Sequence, residues 1–329
     1  MNHSLVARGA MLAASHRKEV AKSRRWWNVV KSHIRRTAIE VLNIFINHDW
    51  VFGLIGLLNR RLGIIESVFL VYPAAKEFGL WFAYPFRLRR NQWDPWPTGL
   101  LFQNGRLIAM FAISANNERC ASQDNIGKLV QVAERMERLR QLLGAKRKTF
   151  AGILPGVLLC RRIIREAPEA DLTAAAVLQA VEEVRAKESL AADAPIVVLG
   201  GKGFIGRRVM KGLDKSTALS IDLTDGQSNK DWPKSLNDRR IIVLNIASKD
   251  SIAGYFDAIC PGTVLVNEAY PGPGPDVLKK LSEKGCRCYH IVGVEAGAFP
   301  SFPFEYQDAI PCCAAWFSTE MKVVVRRLI

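Results

Sequence analysis

The chain has 329 residues, of which 49% are hydrophobic and 23% charged, a balance that excludes a disordered or fibrous protein and leaves room for two cores. A formal net charge of +15 favours an acidic partner, yet the basic residues are spread widely and no nucleic-acid motif is present, so nucleic acid is set aside. Seven cysteines, an odd number without a signal peptide, predict a reduced, cytoplasmic protein.

Residues 1–50 form a basic region. Lys18, Lys22, Arg24, Arg25, Lys31, Arg35 and Arg36 alternate with Trp26, Trp27, Val30, Ile34, Val41 and Phe45 at helical spacing. An amphipathic helix of this kind either packs on the body or meets a membrane surface or a carrier protein, so the expected location is cytoplasmic, with a peripheral membrane contact as the alternative. Val51–Leu57 reads as a buried strand and Val68–Tyr72 as another. Arg60, Arg61 and Glu66 interrupt the apolar run around Val51–Pro73, which rules out a membrane span there.

Thr98–Phe102 and Arg106–Ala112 flank Gln103-Asn104-Gly105, a hairpin signal. A helix follows from Asp124 to Leu143 with Gly144 as its stop. Thr149–Gly156, with Gly152 inside it, is a small-residue loop suited to lining a substrate cleft. A second helix runs from Thr173 to Ser189, capped by Asp171.

The most informative stretch comes next. Pro195–Leu199 is a short strand, and Gly200-Gly201-Lys202-Gly203-Phe204-Ile205-Gly206 turns from it into a helix. Glycines at those positions let the backbone approach a pyrophosphate, and Asp222 ends the following strand, where a ribose-binding carboxylate is expected. Two further strands, Ile241–Ile246 and Thr263–Val266, deliver Ala247-Ser248 and Tyr270-Pro271 to the ligand-binding end of the sheet. His290–Gly297 is another strand. Pro311-Cys312-Cys313 and a final stretch to Ile329, expected to be helical, complete the chain. Cys286-x-Cys288 with His290 lacks a second ligand pair at zinc-like spacing, so no metal is expected.

The order of these features resembles the cyanobacterial long-chain acyl–acyl-carrier-protein reductases, which form aldehydes from fatty acyl thioesters. The segments that carry the resemblance are Phe52–Gly56, the Thr98–Ala112 hairpin, Thr149–Leu154, the Gly200/Gly203/Gly206 turn, Ile246-Ala247-Ser248, Tyr270-Pro271, His290-Ile291 and the late cysteine. They span Val51 to Phe317. The resemblance implies that Cys313, or Cys312 beside it, takes up the acyl group as a thioester, and that hydride from a nicotinamide releases the aldehyde. His290 would act as general acid or orient the carbonyl.

Three departures stand out: the 50 residues before the first matched strand, Trp316 in place of an acidic residue, and Asp222 where the family carries basic residues for the NADPH 2′-phosphate. Asp222 therefore tilts the choice between NAD(H) and NADP(H) toward NADH.

The expected architecture is α/β. A mixed α/β substrate domain (51–190) precedes a Rossmann NAD(P)-binding domain (191–300) and a C-terminal segment (301–329), an arrangement that also resembles shikimate-dehydrogenase-like oxidoreductases. The expected substrate is an acyl thioester of acyl carrier protein or coenzyme A. Two other functions stay open: oxidoreduction of a small carbonyl or amino acid without a covalent step, and a non-catalytic nucleotide sensor that binds a partner or membrane.

Overall fold

The computed structural model describes residues 29–73, 76–90, 92–222, 231–236, 239–248, 250–302, 306, 309–315 and 321–329. The basic and aromatic residues Lys18 to Trp27, and Trp316 and Phe317, lie outside that set. Two sheets organise the fold.

The strands of the first sheet are β1 (Ile65–Val71), β2 (Trp96–Gln103), β3 (Arg106–Ala112), β4 (Arg147–Phe150) and, from late in the chain, β10 (Gly297–Phe299). They lie in the order β10-β2-β3-β1-β4. The hairpin between β2 and β3 forms as expected, with positive φ at both Asn104 and Gly105 and Gln103 paired to Arg106. Helices α1 (Val29–Ile46), α2 (Asp49–Leu62), α3 (Lys76–Phe82) and α4 (Pro85–Arg90) precede the hairpin. Helices α5 (Asn117–Ala121), α6 (Ile126–Leu142) and α7 (Leu154–Cys160) follow it.

The expected strand at Val51–Leu57 is instead the body of α2. Its buried residues Phe52, Gly56 and Asn59 recur at helical spacing, Asp49 sits in its first turn, and Gly63 closes it in the left-handed conformation. Gly56 is where α2 comes closest to α6; a side chain there would collide with the Leu142 carbonyl. The aliphatic run fits either conformation locally, and packing on α6 decides for helix.

In the second sheet, strands β5 (Ile196–Leu199), β6 (Ala218–Ile221), β7 (Ile242–Asn245), β8 (Val264–Asn267) and β9 (Arg287–Glu295) are mutually parallel. Two short late strands join them, β11 (Ala309–Ile310) and β12 (Val323–Arg327). The order is β11-β9-β8-β7-β5-β6, with β12 also pairing on β9. Counted within the parallel set this is 2-1-3-4-5, a doubly wound Rossmann-type sheet whose switch point lies between β5 and β7. Helices α9 (Gly206–Gly212) and α10 (Pro275–Glu283) belong to this half of the chain.

Helix α8 (Pro168–Lys187) starts earlier than expected, at a proline in its first turn. Asp171 is not its cap; it lies inside that turn and pairs with Arg208 at 2.8 Å. At the far end, Glu188 is buried and accepts a hydrogen bond from Tyr289 Oη at 2.6 Å, with Arg240 and Arg287 also paired to it. That cluster pins the end of α8 to the second sheet.

The expected C-terminal helix is corrected as well. In its described part the tail forms β12, antiparallel to β9. Three consecutive valines favour the pleated state, and the long β9 offers them an unpaired edge. Upstream, β11 also pairs with β9. Ile310 and Ala314 from this returning segment cover Phe69, Leu101, Ile108 and Met110 on one face of the first sheet. The segment that closes the first core is thus the one that carries the late cysteines.

Candidate active site

The glycine turn forms at the carboxyl end of β5. Gly200 has φ of 88°, and a Cβ on it would press on Ala247. A Cβ on Gly206 would lie 2.0 Å from the Gly200 carbonyl oxygen, so α9 can begin against the strand end only because that position is bare. The Gly203 N–H closes the turn onto the Gly200 carbonyl at 2.9 Å. Gly201 packs over Ser220, and the Phe204 ring lies against Gly156 with the Arg208 guanidinium 4.5 Å from its centre. Gly200, Gly203, Phe204, Ile205 and Gly206 line a cavity together with Ala247 and Ser248 from the loop after β7. Bare backbone facing the switch point suits the pyrophosphate of a dinucleotide.

Asp222 is buried beneath this turn. Its carboxylate accepts the Lys202 backbone N–H at 2.7 Å and the Ser220 hydroxyl at 2.9 Å, with the Lys202 ammonium 4.0 Å away. It clamps the glycine turn, a role not expected from the sequence. Residues 223–230, which follow it, lie outside the described set.

A buried chain of polar side chains runs from the carboxyl ends of β7 and β8 to the adjoining middle of β9. Asn245 Oδ1 accepts the Ala247 N–H at 3.2 Å, while its Nδ2 donates to the Ser248 carbonyl at 2.6 Å and to Asn267 Oδ1 at 2.7 Å. Asn267 Nδ2 donates to the Ala269 carbonyl at 2.7 Å and lies 3.0 Å from His290 Nδ1. These bonds fix the loops that present Ala247, Ser248 and Tyr270. His290 is only 2% exposed and stands behind the cavity wall, to which its neighbours Ile291 and Val292 contribute. It contacts Asn267 and stacks on Tyr270, whose ring centroid is 6.3 Å away, an arrangement suited to holding the loop rather than meeting substrate.

The cavity measures about 690 Å³ and runs between the two sheets. Its far wall is apolar, with Phe78, Phe82, Leu88, Trp96 and Ile113 contributing. Tyr270, Gly152, Cys312 and Cys313 all line it. Gly152 supplies an N–H to the Cys313 sulfur and approaches Tyr72 so closely that a Cβ would strike its hydroxyl. Tyr72 Oη in turn accepts the Ile153 N–H at 3.0 Å and donates to Asn117 at 2.6 Å, fixing the 151–153 loop.

The cysteines stand on a 3-10 turn of three residues, Cys312–Ala314. A reactive thiol needs a lowered pKa, and this turn does not provide one. Burial pushes the Cys313 thiol up to about 12, with the Gly152 N–H working against it and the nearby Glu169 adding to the rise. Burial raises Cys312 as well. Both thiols rest neutral.

Two carboxyl groups missed at the sequence level flank them. Glu169, in the first turn of α8, is 1% exposed and lines the cavity. Its Oε1 accepts the Phe150 N–H at 3.1 Å while its buried Oε2 has no hydrogen-bond partner among the described residues. Burial pushes its pKa up to about 7. Glu268, directly after β8, faces the cavity; burial raises it to about 7 also, against the pull of His290. The only local signals are a carboxylate between Pro168 and Ala170 for Glu169 and a carboxylate directly after an apolar strand for Glu268.

Cys286, Cys288 and His290 do not gather as ligands; Cys286 and Cys288 pack into the core, and no group of three metal-binding side chains occurs among the described residues.

No family model matches the chain, and no curated protein matches it. Among solved structures it is similar to the glutamate dehydrogenase of Peptoniphilus asaccharolyticus, with 13% identity and a TM-score of 0.35 over 68% of this chain and 65% of that one. It is also similar to the TT0316 protein of Thermus thermophilus, with 14% identity and a TM-score of 0.26 over 67% and 79%. The chain thus spans just under two thirds of the glutamate dehydrogenase. Both scores are below 0.5, so neither likeness bears on activity; the Rossmann-type fold rests on strand order and the glycine turn.

Proposed function

We propose that the chain is an NAD(P)H-dependent reductase that converts an acyl thioester to an aldehyde through an acyl group held on Cys313. The observation that carries this reading is a single cavity with a dinucleotide-type glycine turn at one side, an apolar wall at the other and a cysteine between them. Its volume lies within the usual range for small-molecule sites.

Glu169 holds a pKa near neutrality beside a thiol that needs a base, and so it takes the Cys313 proton. The thiolate adds to the acyl carbon, the new C–S bond forms, the bond to the carrier sulfur breaks, and the carrier thiolate leaves and takes a proton from solvent while Glu169 keeps the one from Cys313. The Gly152 N–H, already on the sulfur, is placed to steady the oxyanion of that addition. A nicotinamide held at the glycine turn would supply the hydride that replaces sulfur at the acyl carbon. The aldehyde departs and Cys313 recovers its proton from Glu169. Glu268, neutral below about pH 7, keeps a second proton at the cavity wall.

Apolar lining favours an acyl chain, and the +15 charge favours an acidic carrier protein or the phosphates of coenzyme A. The carboxylate of Asp222 favours NADH over NADPH.

Intact-mass analysis after incubation with acyl thioesters, without reductant, tests the covalent step. An acyl adduct that maps to Cys313 supports it; no adduct with any chain length sinks it. The high thiol pKa favours a second reading, carbonyl reduction without a covalent step, in which Glu268 donates the proton. That reading requires a Cys313→Ala protein to keep its reductase activity.

A further inference from the structure

Helices α1 and α2 carry their apolar faces outward. In α1, the residues turned to the body are Ser32, Ile39 and Asn43, two of them polar; Asn43 donates to the Pro97 carbonyl at 2.8 Å. On the opposite side Ile34, Val41 and Phe45 share one face, and Phe45 is 68% exposed. In α2, Phe52, Gly56 and Asn59 face inward while Trp50, Leu54 and Leu57 face out, with Trp50 again 68% exposed. Single exposed apolar side chains are ordinary, but two successive helices that both turn this way make a continuous patch.

The charges of this region are sorted as strictly. Its two acids, Glu40 and Asp49, point to the body, Glu40 onto Arg87 at 2.6 Å and Asp49 onto Arg135 at 2.7 Å and Arg138 at 2.6 Å. Lys31, Arg60 and Arg61 remain exposed at the two ends of the patch. The outward surface therefore combines apolar side chains with positive charge and presents no carboxylate. A second copy of a +15 chain would bring like charges together here; an anionic lipid surface matches both properties.

No described helix is by itself long and apolar enough to cross a bilayer; α1 and α2 reach that length and apolarity only as a pair, bent by 86°. At 14 residues α2 spans about 21 Å, short of the roughly 30 Å hydrocarbon core. We infer that the α1–α2 elbow is a monotopic docking surface that lies in the interface of an anionic phospholipid bilayer, with Phe45, Trp50 and Leu54 inserted and Lys31, Arg60 and Arg61 at the headgroups. The inference stands independently of the proposed reaction. It has a bearing on it, since α1 braces α3 and α4 through Arg35 over the Trp81 ring at 3.9 Å and Glu40 on Arg87. Phe78, Phe82 and Leu88 of that pair line the cavity, which a docked chain holds one helical layer from the bilayer.

Co-sedimentation of the full chain with vesicles tests the inference. Binding is expected to vesicles of phosphatidylcholine with phosphatidylglycerol, and weaker binding to phosphatidylcholine alone or in high salt. Phe45→Glu with Leu54→Glu should lower partitioning at least about tenfold, the loss expected when two large apolar contacts go. Their exposed positions should leave the melting temperature unchanged. Arg60→Glu with Arg61→Glu, which touches no apolar contact, should remove the preference for phosphatidylglycerol. Wild-type protein that stays in the supernatant with anionic vesicles overturns the inference, as do variants that all sediment like the wild type. A dimer seen by light scattering, dissolved by Phe45→Glu with Leu54→Glu and unaccompanied by vesicle binding, assigns the face to a second copy instead.

Discussion

One side of the cavity is walled by backbone and the other by side chains. The glycine turn, Ala247 and Ser248 come from two short stretches at neighbouring strand ends, and their shape depends on positions where a Cβ cannot fit. Around the rest of the cavity, Tyr72, Gly152, Glu169, Glu268 and Cys313 arrive from five separate parts of the chain, and what they offer is protons and a sulfur. The first wall carries no ionisable side chain. The second changes state around neutrality, because burial has moved two carboxyl groups there.

Substitutions on the two walls should therefore fail in different ways. The largest effect expected is from Cys313→Ala, which should lower thioester reduction on the order of 10³-fold or more while nicotinamide binding is unchanged. Steady-state rates beside a fluorescence titration check this, and Cys312→Ala serves as the contrasting variant. Equal activity in both variants would remove the covalent role from the second wall.

Gly206→Ala attacks the first wall. Its methyl group would meet the Gly200 carbonyl, and NADH binding by fluorescence titration should weaken about a hundredfold, with Cys313 still open to a small alkylating reagent. Unchanged affinity would mean that the turn does not hold the dinucleotide.

Glu169→Gln separates stability from chemistry. The native carboxyl keeps its proton up to about pH 7, whereas the unfolded chain loses it near 4.5. Between those values the native state binds more protons, so this group's contribution to stability falls as pH rises and stays lost above 7. The amide has no such dependence and can still accept the Phe150 N–H. Urea unfolding at pH 8 should find the variant more stable by about 1–3 kcal/mol, and its reductase rate should drop. A parallel fall of stability with pH in both proteins would rule out Glu169 as the titrating group.

The smallest effect belongs to Asp222→Asn. Its side-chain oxygen can still accept the Lys202 N–H, so the turn should survive. Loss of the charge should shift the NADPH-to-NADH ratio of kcat/KM upward by several-fold, about 1 kcal/mol. No shift would confine Asp222 to its clamping role.

The same division governs what the sequence reveals. The first wall is legible because it is local: Gly200, Gly203 and Gly206 follow an apolar strand and precede a helix, and the chemistry of the turn follows from their spacing. Cys313, Gly152 and Tyr270 could be named from the order of features, and the structure does bring all three to the cavity. Glu169 and Glu268 could not, since a carboxylate gains its meaning from burial, which comes from segments distant in sequence. His290 is a candidate through the resemblance, but it stands behind the wall, held against Asn267 and Tyr270, while Ile291 and Val292 line the cavity. The errors in secondary structure have a similar origin. Val51–Leu57 and the C-terminal valines are apolar runs whose conformation is set by their neighbours, α6 in one case and the edge of β9 in the other.

The late strand β10 has a consequence for biosynthesis. It completes the first sheet by pairing with β2, and Ile310 and Ala314 then cover that sheet's apolar face. A nascent chain that has emerged only as far as α8 carries an open β2 edge and bare Phe69, Leu101, Ile108 and Met110. Until residues 297–314 have been translated the first sheet stays unfinished, with an open edge and a bare apolar face of the kind that invites aggregation.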